Sequence, residues 1–413
     1  MIFVSWIISD IPGAKLYSIN LNCNNDLTSS VTIQMVTTGF SLDNNLYYRT
    51  QGETEWSKVI GKRIKYFPLR KMAIRHAVIE DLTPGTIYEL RTNYEKTIRK
   101  FKTLPSELST EKPLKLAFAS DCHVRDFSAE FESVNTALAS YNPDVLIGKG
   151  DYTNVDGIVS DSGSEDWLYF TKEIEKTLTD QDNIIKPFLP AVGNHEMTPM
   201  YGGDPVYKEY FFDLYAFPGH KGYGQVIAGN YLQILLLDSQ HANRVLGEQT
   251  EWLESYLDTS KTHVIPVYHT SCYPSEKPWP RYSWNQEILD YWWPLFESVG
   301  AKIALSGHDH TAHVTISVSS DLPDENGIRE LGDGGWGGAI RPVYNPAETW
   351  YMEYCAGTRY KTGISGNHHP EDDEPADRQN ANHFWAVELY SNKMVIKAIN
   401  DTGNVFYEKE LTQ

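Results

Sequence analysis

Five short polar clusters punctuate the chain between Ser120 and His310. They are Asp121-Cys122-His123, Gly150-Asp151-Tyr152-Thr153-Asn154, Gly193-Asn194-His195-Glu196, His269-Thr270-Ser271 and Gly307-His308-Asp309-His310. Each follows a short apolar run, and each offers carboxylate or amide oxygens or imidazole nitrogens of the kind that bind metal ions. A single Asp-x-His pair or Gly-Asn-His triplet is a weak signal, because most such residues are surface groups or tight turns. The set is stronger. Asp121, His123, Asp151, Asn194, His269, His308 and His310 all stand just past a strand-like run. The separations Asp121 to Asp151 (30), Asp151 to Asn194 (43) and His269 to His308 (39) each fit one strand–helix–strand step. The longer step of 75 from Asn194 to His269 leaves room for an inserted loop. These residues read as one metal site.

The elements that must deliver them are legible from Leu114 onward. Leu114–Ser120, Val145–Gly148, Phe188–Val192, Tyr231–Leu237, Val264–Tyr268 and Ile303–Ser306 are apolar runs of strand length. Phe131–Ser140, Trp167–Leu178, Gln249–Leu257 and Gln286–Phe296 have helical spacing between them. Strands alternating with helices predict an α/β layered domain, and polar clusters at strand carboxyl ends sit where such sheets hold ligands. After His310 the pattern turns β-rich. Val314–Val318, the glycine run from Gly332 to Gly338, Phe384–Leu389 and Met394–Ala398 predict a second sheet and its loops. Ser391-Asn392-Lys393 and Asp401-Thr402-Gly403-Asn404 read as hairpin turns. The acidic stretch from His368 to Asp377 reads as a surface loop.

Residues 15 to 104 differ, reading as all-β: Lys15–Asn22, Ser30–Val36, Leu46–Thr50 and Arg99–Leu104 are short runs separated by Asn, Asp and Gly turns. Leu82-Thr83-Pro84-Gly85-Thr86-Ile87-Tyr88 predicts a turn before a strand, with a tyrosine to lock the corner from inside. It resembles the Leu-x-Pro-Gly-x-x-Tyr corner of fibronectin type III domains. The expected organisation is a fibronectin-like β-sandwich over 1–104, a polar linker over 105–113, and the layered domain over 114–413.

A chain of 413 residues exceeds one ordinary core. Its formal charge of −19 and lack of a basic stripe exclude a nucleic-acid backbone as the expected partner. A small phosphorylated substrate stays compatible, because bound cations dominate the local field. No apolar run reaches the roughly 20 residues a membrane span needs. The apolar start, Met1 to Ile8, lacks the flanks of a signal peptide and reads as a strand. The four cysteines match no CxxC spacing and read as free thiols, which leaves the compartment open. Oligomeric state, a homo-oligomer included, is open too.

The five clusters together resemble the calcineurin-like metallophosphoesterase pattern Asp-x-His, Gly-Asp-x-x-Asn/Asp, Gly-Asn-His-Glu/Asp, His, Gly-x-His. Glu196, the fibronectin-like domain and Gly332-Asp333-Gly334-Gly335 make the purple acid phosphatase branch the most similar. That resemblance implies a catalytic double β-sandwich flanked by helices, with two metal ions. One would be held by Asp121, His123 and His310, the other by Asn194, His269 and His308, with Asp151 bridging. It implies a small phosphoester substrate, a phosphomonoester first and a phosphodiester second. Asp151 and His195 would be catalytic, with His195 the candidate general acid or, on the plainer reading, a group that orients the phosphate. Asn194, His195 and Arg281 would face the substrate. A rival of another class is an adhesin or virion component that carries a phosphoesterase-like domain.

Departures from the branch narrow this expectation. Asn154 stands where purple acid phosphatases carry the tyrosine that ligates ferric iron, while Tyr152 comes two positions early. The pattern argues against a ferric–tyrosinate site and for two divalent or mixed-valence ions, Fe, Mn or Zn. The segment after His269 has Cys272, Tyr273, Arg281, Tyr282 and Trp284 in place of adjacent histidines. Cys122 reads as a packing residue, because its neighbours face the metals. His220, His241, His263 and His313 read as ordinary histidines. Asp309 reads either as a group tuning its flanking histidines or as solvent-exposed, and 334–338 either as a loop over the site or as tight turns.

Overall fold

The computed structural model describes residues 14–23, 25–39, 41–67, 72–124, 128–153, 161–197, 211–215, 222–276, 283–332, 334–361, 374–375 and 382–412. The expected first strand at Met1–Ile8, Asn154, His220, Arg281, Tyr282, Asp333 and most of the 368–377 loop lie outside them.

The N-terminal strands form two sheets. One runs in the order Lys15–Asn22, Val31–Thr38, Met72–Ile79, Lys62–Phe67, all antiparallel. The other runs Arg99–Lys102, Ile87–Thr92, Asn45–Thr50, Ser57–Ile60. Ile19, Leu21, Ile33, Met35, Leu46, Leu90 and Phe101 fill the space between them. Burying each large apolar side chain contributes about 1.5–3 kcal/mol, which suffices for a core of this kind. The Pro84-Gly85 turn places Gly85 at φ +66, and the Tyr88 hydroxyl accepts a hydrogen bond from the Thr83 N–H at 2.8 Å. Tyr88 also stacks on Phe101, with centroids 5.2 Å apart.

This sandwich is sewn to the chain beyond Leu114. Ile184–Ile185 adds a parallel strand to the free edge of Arg99–Lys102. The helix Asp161–Leu178 packs on Lys15–Asn22, with the Asn20 amide donating to the Thr171 carbonyl at 3.2 Å.

Also beyond Leu114, a six-stranded and a seven-stranded sheet face each other. The first has the order Phe188–Pro190, Val145–Gly148, Leu114–Ala119, His383–Leu389, Lys393–Asn400, Val405–Thr412. Its first three strands are parallel, because helices Ser128–Tyr141 and Asp161–Leu178 carry the crossovers. The second has the order Gly224–Ala228, Leu232–Leu236, His263–Thr270, Ile303–Gly307, Arg329–Gly332, Ala312–Thr315, Met352–Ala356. It begins at Gly224, well before His310, so the polar clusters come from both sheets. Leu116, Phe118 and Leu146 of one sheet share a buried core with Ile265, Val267 and Leu305 of the other.

The helix expected over Gln286–Phe296 spans 283–298 and opens into a π turn at Ile288–Trp292. Pro294 supplies the reason: it has no N–H to give the preceding turn, so the regular ladder cannot pass through it. The hairpins at Ser391 and Asp401 join His383–Leu389 to Lys393–Asn400 and that strand to Val405–Thr412.

Candidate metal centre

Asp121, Asp151 and Asn194 follow parallel strands of the first sheet; His269 and His308 close strands of the second. The two sheets therefore meet at one end, where their polar residues converge. Asp121, His123, Asp151, His308 and His310 all adopt positive φ, at 62°, 43°, 56°, 72° and 54°. Left-handed backbone is costly for side chains other than glycine, and it is held here by hydrogen bonds between the loops. The Asp121 N–H donates to the Gly150 carbonyl at 3.1 Å, and the His123 N–H to the Asp151 carbonyl at 3.3 Å. Glycine is required at the contacts. A Cβ on Gly193 would lie 2.3 Å from Asp151 Oδ1, and one on Gly150 would lie 2.5 Å from Gly193 Cα.

The side chains fall into two groups that share Asp151. In the first, His123 Nε2 and His310 Nε2 are 3.1 Å apart, and His310 Nε2 is 3.3 Å from Asp121 Oδ1. In the second, His269 Nε2 lies 3.1 Å from Asn194 Oδ1, 3.2 Å from Asp151 Oδ2 and 3.3 Å from His308 Nδ1. Asp151 Oδ2 is 3.9 Å from His123 Nε2, so this one oxygen faces both groups. Lone-pair atoms sharing one ion at about 2.1 Å stand about 3.0 Å apart at right angles and about 3.4 Å apart in a tetrahedron. The observed spacings fit. Asp121 Oδ1 is buried and accepts no hydrogen bond among the described residues.

The ring orientations are set from behind. His269 Nδ1 is 2.8 Å from the Lys149 carbonyl and His310 Nδ1 is 2.9 Å from the Ala339 carbonyl, so each ring donates its N–H there and aims Nε2 inward. Burial pushes the Asp121 and Asp151 carboxyls upward, but the surrounding imidazoles outweigh it and hold both below the ordinary range. Burial pushes His123 down to about 4. His195 differs from the rest, because its side chain is 25% exposed while the other rings are nearly covered. Its Nε2 lies 3.8 Å from Asp151 Oδ2, and its ring meets His123 edge-on at 4.8 Å.

Several further residues hold this arrangement, in roles that the sequence did not assign to them. Buried Glu196 accepts from the N–H groups of Asp151, Tyr152 and Gly193 at 2.8, 2.9 and 2.8 Å. Buried Glu330 does the same for Cys272 and Tyr273, at 2.9 and 2.7 Å. Asp309 is fully buried and accepts from the Ser275 N–H at 2.7 Å, so the solvent-exposed alternative is corrected. Buried Lys149 donates to the Ser306 carbonyl at 2.5 Å, tying the first sheet to the second. The signal for Glu196 was its place in the third cluster; Glu330 carried none.

Cys122 is buried, and its thiol donates to the Tyr152 carbonyl at 3.1 Å, a packing role. Tyr152 donates its hydroxyl to the Ala191 carbonyl at 2.8 Å and sits among Trp167, Phe170, Phe188, Phe211 and Trp336, outside the polar cluster. His241 meets the His269 ring edge-on at 5.3 Å, while His313 is buried further from the cluster's contacts. The loop at 334–338 lies against the site. Gly338 N–H donates to the Asp121 carbonyl at 2.8 Å, and a Cβ on Gly334 would lie 2.2 Å from the His310 nitrogen.

Residues 114–312 match the calcineurin-like phosphoesterase family. A probable cyclic nucleotide phosphodiesterase from Psychrobacter arcticus is 25% identical over 129 residues, which is 30% of this chain and 46% of that protein. The chain thus aligns with less than half of that relative's length. A purple acid phosphatase from yellow lupin (Lupinus luteus) seeds superposes with a TM-score of 0.71 at 14% identity, over 96% of this chain and 74% of the lupin chain. Residues 114–312 thus carry a calcineurin-like phosphoesterase domain, and the chain shares its fold with the lupin purple acid phosphatase.

Proposed function

We propose that this protein is a dinuclear metal-dependent phosphoester hydrolase, acting first on phosphomonoesters. The observation that carries the proposal is Asp151 Oδ2, a single buried oxygen facing an imidazole group on either side. Asp121, His123 and His310 would hold one ion, Asn194, His269 and His308 the other, and Asp151 both. Bound ions of this kind supply Lewis-acid polarisation of phosphoryl oxygens and make water acidic enough to provide hydroxide near neutral pH. The protein's own part is to hold the ligands and to move a proton. His195, fixed through its backbone N–H to Asp151 Oδ1 at 2.9 Å and with its ring open on one side, donates from its imidazole to the departing alkoxide. Asn194 and His195 flank the bound phosphoryl group; Arg281 is a further proposed contact. Asn154 and the occupied hydroxyl of Tyr152 favour two divalent or mixed-valence ions over ferric–tyrosinate.

A phosphodiester is the second reading, favoured by the name of the Psychrobacter relative. In domain terms, we infer a fibronectin-like unit bounded at 1–104, a linker at 105–113 and a catalytic part at 114–413. The test is turnover of a chromogenic phosphomonoester and a chromogenic phosphodiester by protein loaded with Fe, Mn or Zn, across pH. We expect the monoester to be the faster substrate. A diester rate a hundredfold higher would replace the monoesterase reading, and no hydrolysis of either would end the proposal.

A further inference from the structure

Arg341 is bound to the His308–Asp309–His310 loop at two points. Its N–H donates to the His310 carbonyl at 3.0 Å, and its Nη1 donates to the His308 carbonyl at 3.1 Å. Its own carbonyl accepts from the Thr358 N–H at 3.0 Å. Gly357 lets the bend before Arg359–Lys361 approach, because a Cβ there would lie 2.4 Å from the Arg341 carbonyl oxygen. The arginine is therefore held in place before any ligand arrives. Simple bonded geometry through His308 keeps Nη1 within about 9 Å of the His308 ring nitrogen.

The charges nearby single this residue out. The chain carries −19 overall, and the cluster itself contains Asp121, Asp151 and Asp309. Lys361, on the neighbouring strand Arg359–Lys361, is already engaged. Its Nζ donates to the Glu276 carbonyl at 2.7 Å and lies 3.7 Å from the Glu276 carboxylate. Among the described residues no carboxylate pairs with Arg341. A guanidinium has five N–H donors, and one of them is used on His308. A partly exposed cation, pinned to the rim of an acidic site and with no acidic partner among the described residues, suits an anion that arrives from solution.

We propose that Arg341 is a substrate-anchoring residue that donates to a non-bridging oxygen of the phosphoryl group, resting on the phosphoester reading above. It favours the phosphomonoester dianion over the diester monoanion, because the dianion carries more charge on each non-bridging oxygen and in total.

The experiment uses the full metal-loaded chain as wild type, Arg341→Ala and Arg341→Lys. Orthophosphate binding is followed by calorimetry, kcat and KM are measured on both ester classes, and metal content is determined for each variant. In Arg341→Ala, the orthophosphate Kd and the monoester KM should rise about tenfold or more, as expected for one charge-assisted hydrogen bond. The diester KM should move less, kcat should stay within about threefold, and metal content should match wild type. Arg341→Lys should recover part of the affinity. An unchanged orthophosphate Kd overturns the proposal whether or not either ester is hydrolysed. So does a wild-type protein that binds no orthophosphate. Loss of metal with unchanged affinity per loaded site would assign Arg341 to bracing the loop alone. Failure of the hydrolase reading would show separately, as absent turnover in wild type.

Discussion

Arg75 in the N-terminal sandwich and Asp151 in the two-sheet domain are both buried ionisable groups, yet their surroundings differ. Arg75 spends its donors on the Thr37 hydroxyl, the Asn44 amide oxygen at 3.1 Å and the Ser41 carbonyl at 2.8 Å, beneath the Tyr94 ring. Asp151 instead turns one oxygen toward imidazole nitrogens 3.2 and 3.9 Å away. The backbone follows the same division. Among described non-glycine residues up to Lys102, Asp81 alone has positive φ, whereas five of the seven proposed ligands do. Left-handed backbone also occurs at Asn142, Asn183, Gln240, Ser320 and Asp321, but the polar cluster holds five such residues in one place. Such strain persists only where surrounding contacts over-determine it.

The sharpest way to break this contrast is Asp151→Asn. We expect hydrolysis to fall by about 10³-fold or more and metal content to drop, while the circular dichroism of the sandwich strands persists. Full activity would sink the bridging role and favour the structural rival.

A smaller effect tests the buried glutamates. Burial pushes the Glu330 carboxyl up to about 7, against the opposing pull of the Cys272 and Tyr273 N–H groups. Between the ordinary carboxyl range and that value, the native state holds a proton that the unfolded chain has lost. Its contribution to stability therefore falls as pH rises through that window. Glu330→Gln should remove this slope, worth about 2–3 kcal/mol between pH 4.5 and 7. Thermal midpoints measured at several pH values decide it. Parallel profiles for the variant and wild type would contradict the assignment.

The smallest effect belongs to the sandwich. Tyr88→Phe removes the hydroxyl that accepts from Thr83 and should cost about 1 kcal/mol in urea unfolding. Hydrolysis per folded molecule should be unchanged. A large loss of activity would mean that the sandwich shapes the site, erasing the distinction between the two regions.

The positions of the seven proposed ligands were legible because each follows an apolar run, and a strand end in a layered fold is where ligands collect. The starts and ends of Val145–Gly148 and Lys15–Asn22 were read to the residue. Val405–Thr412 was not. It lies at the edge of its sheet, and its half-exposed pattern carries a weak apolar signal. Glu330, Lys149 and Arg341 stayed hidden for another reason: each acts on backbone groups far off in sequence, and no local pattern records such a partner. The left-handed ligand conformations were hidden too, since aspartate and histidine occur in every region of the backbone map.

The strand Ile184–Ile185 sets a timetable for synthesis. It closes the edge of Arg99–Lys102, yet 81 residues separate the two along the chain. At about 5–20 residues per second, the nascent sandwich leaves the ribosome with an open edge for roughly 4–16 s. An open strand edge is a template for pairing with another chain. During that interval the basic residues Arg99, Lys100 and Lys102 on the edge strand are what discourages a second nascent copy from pairing there.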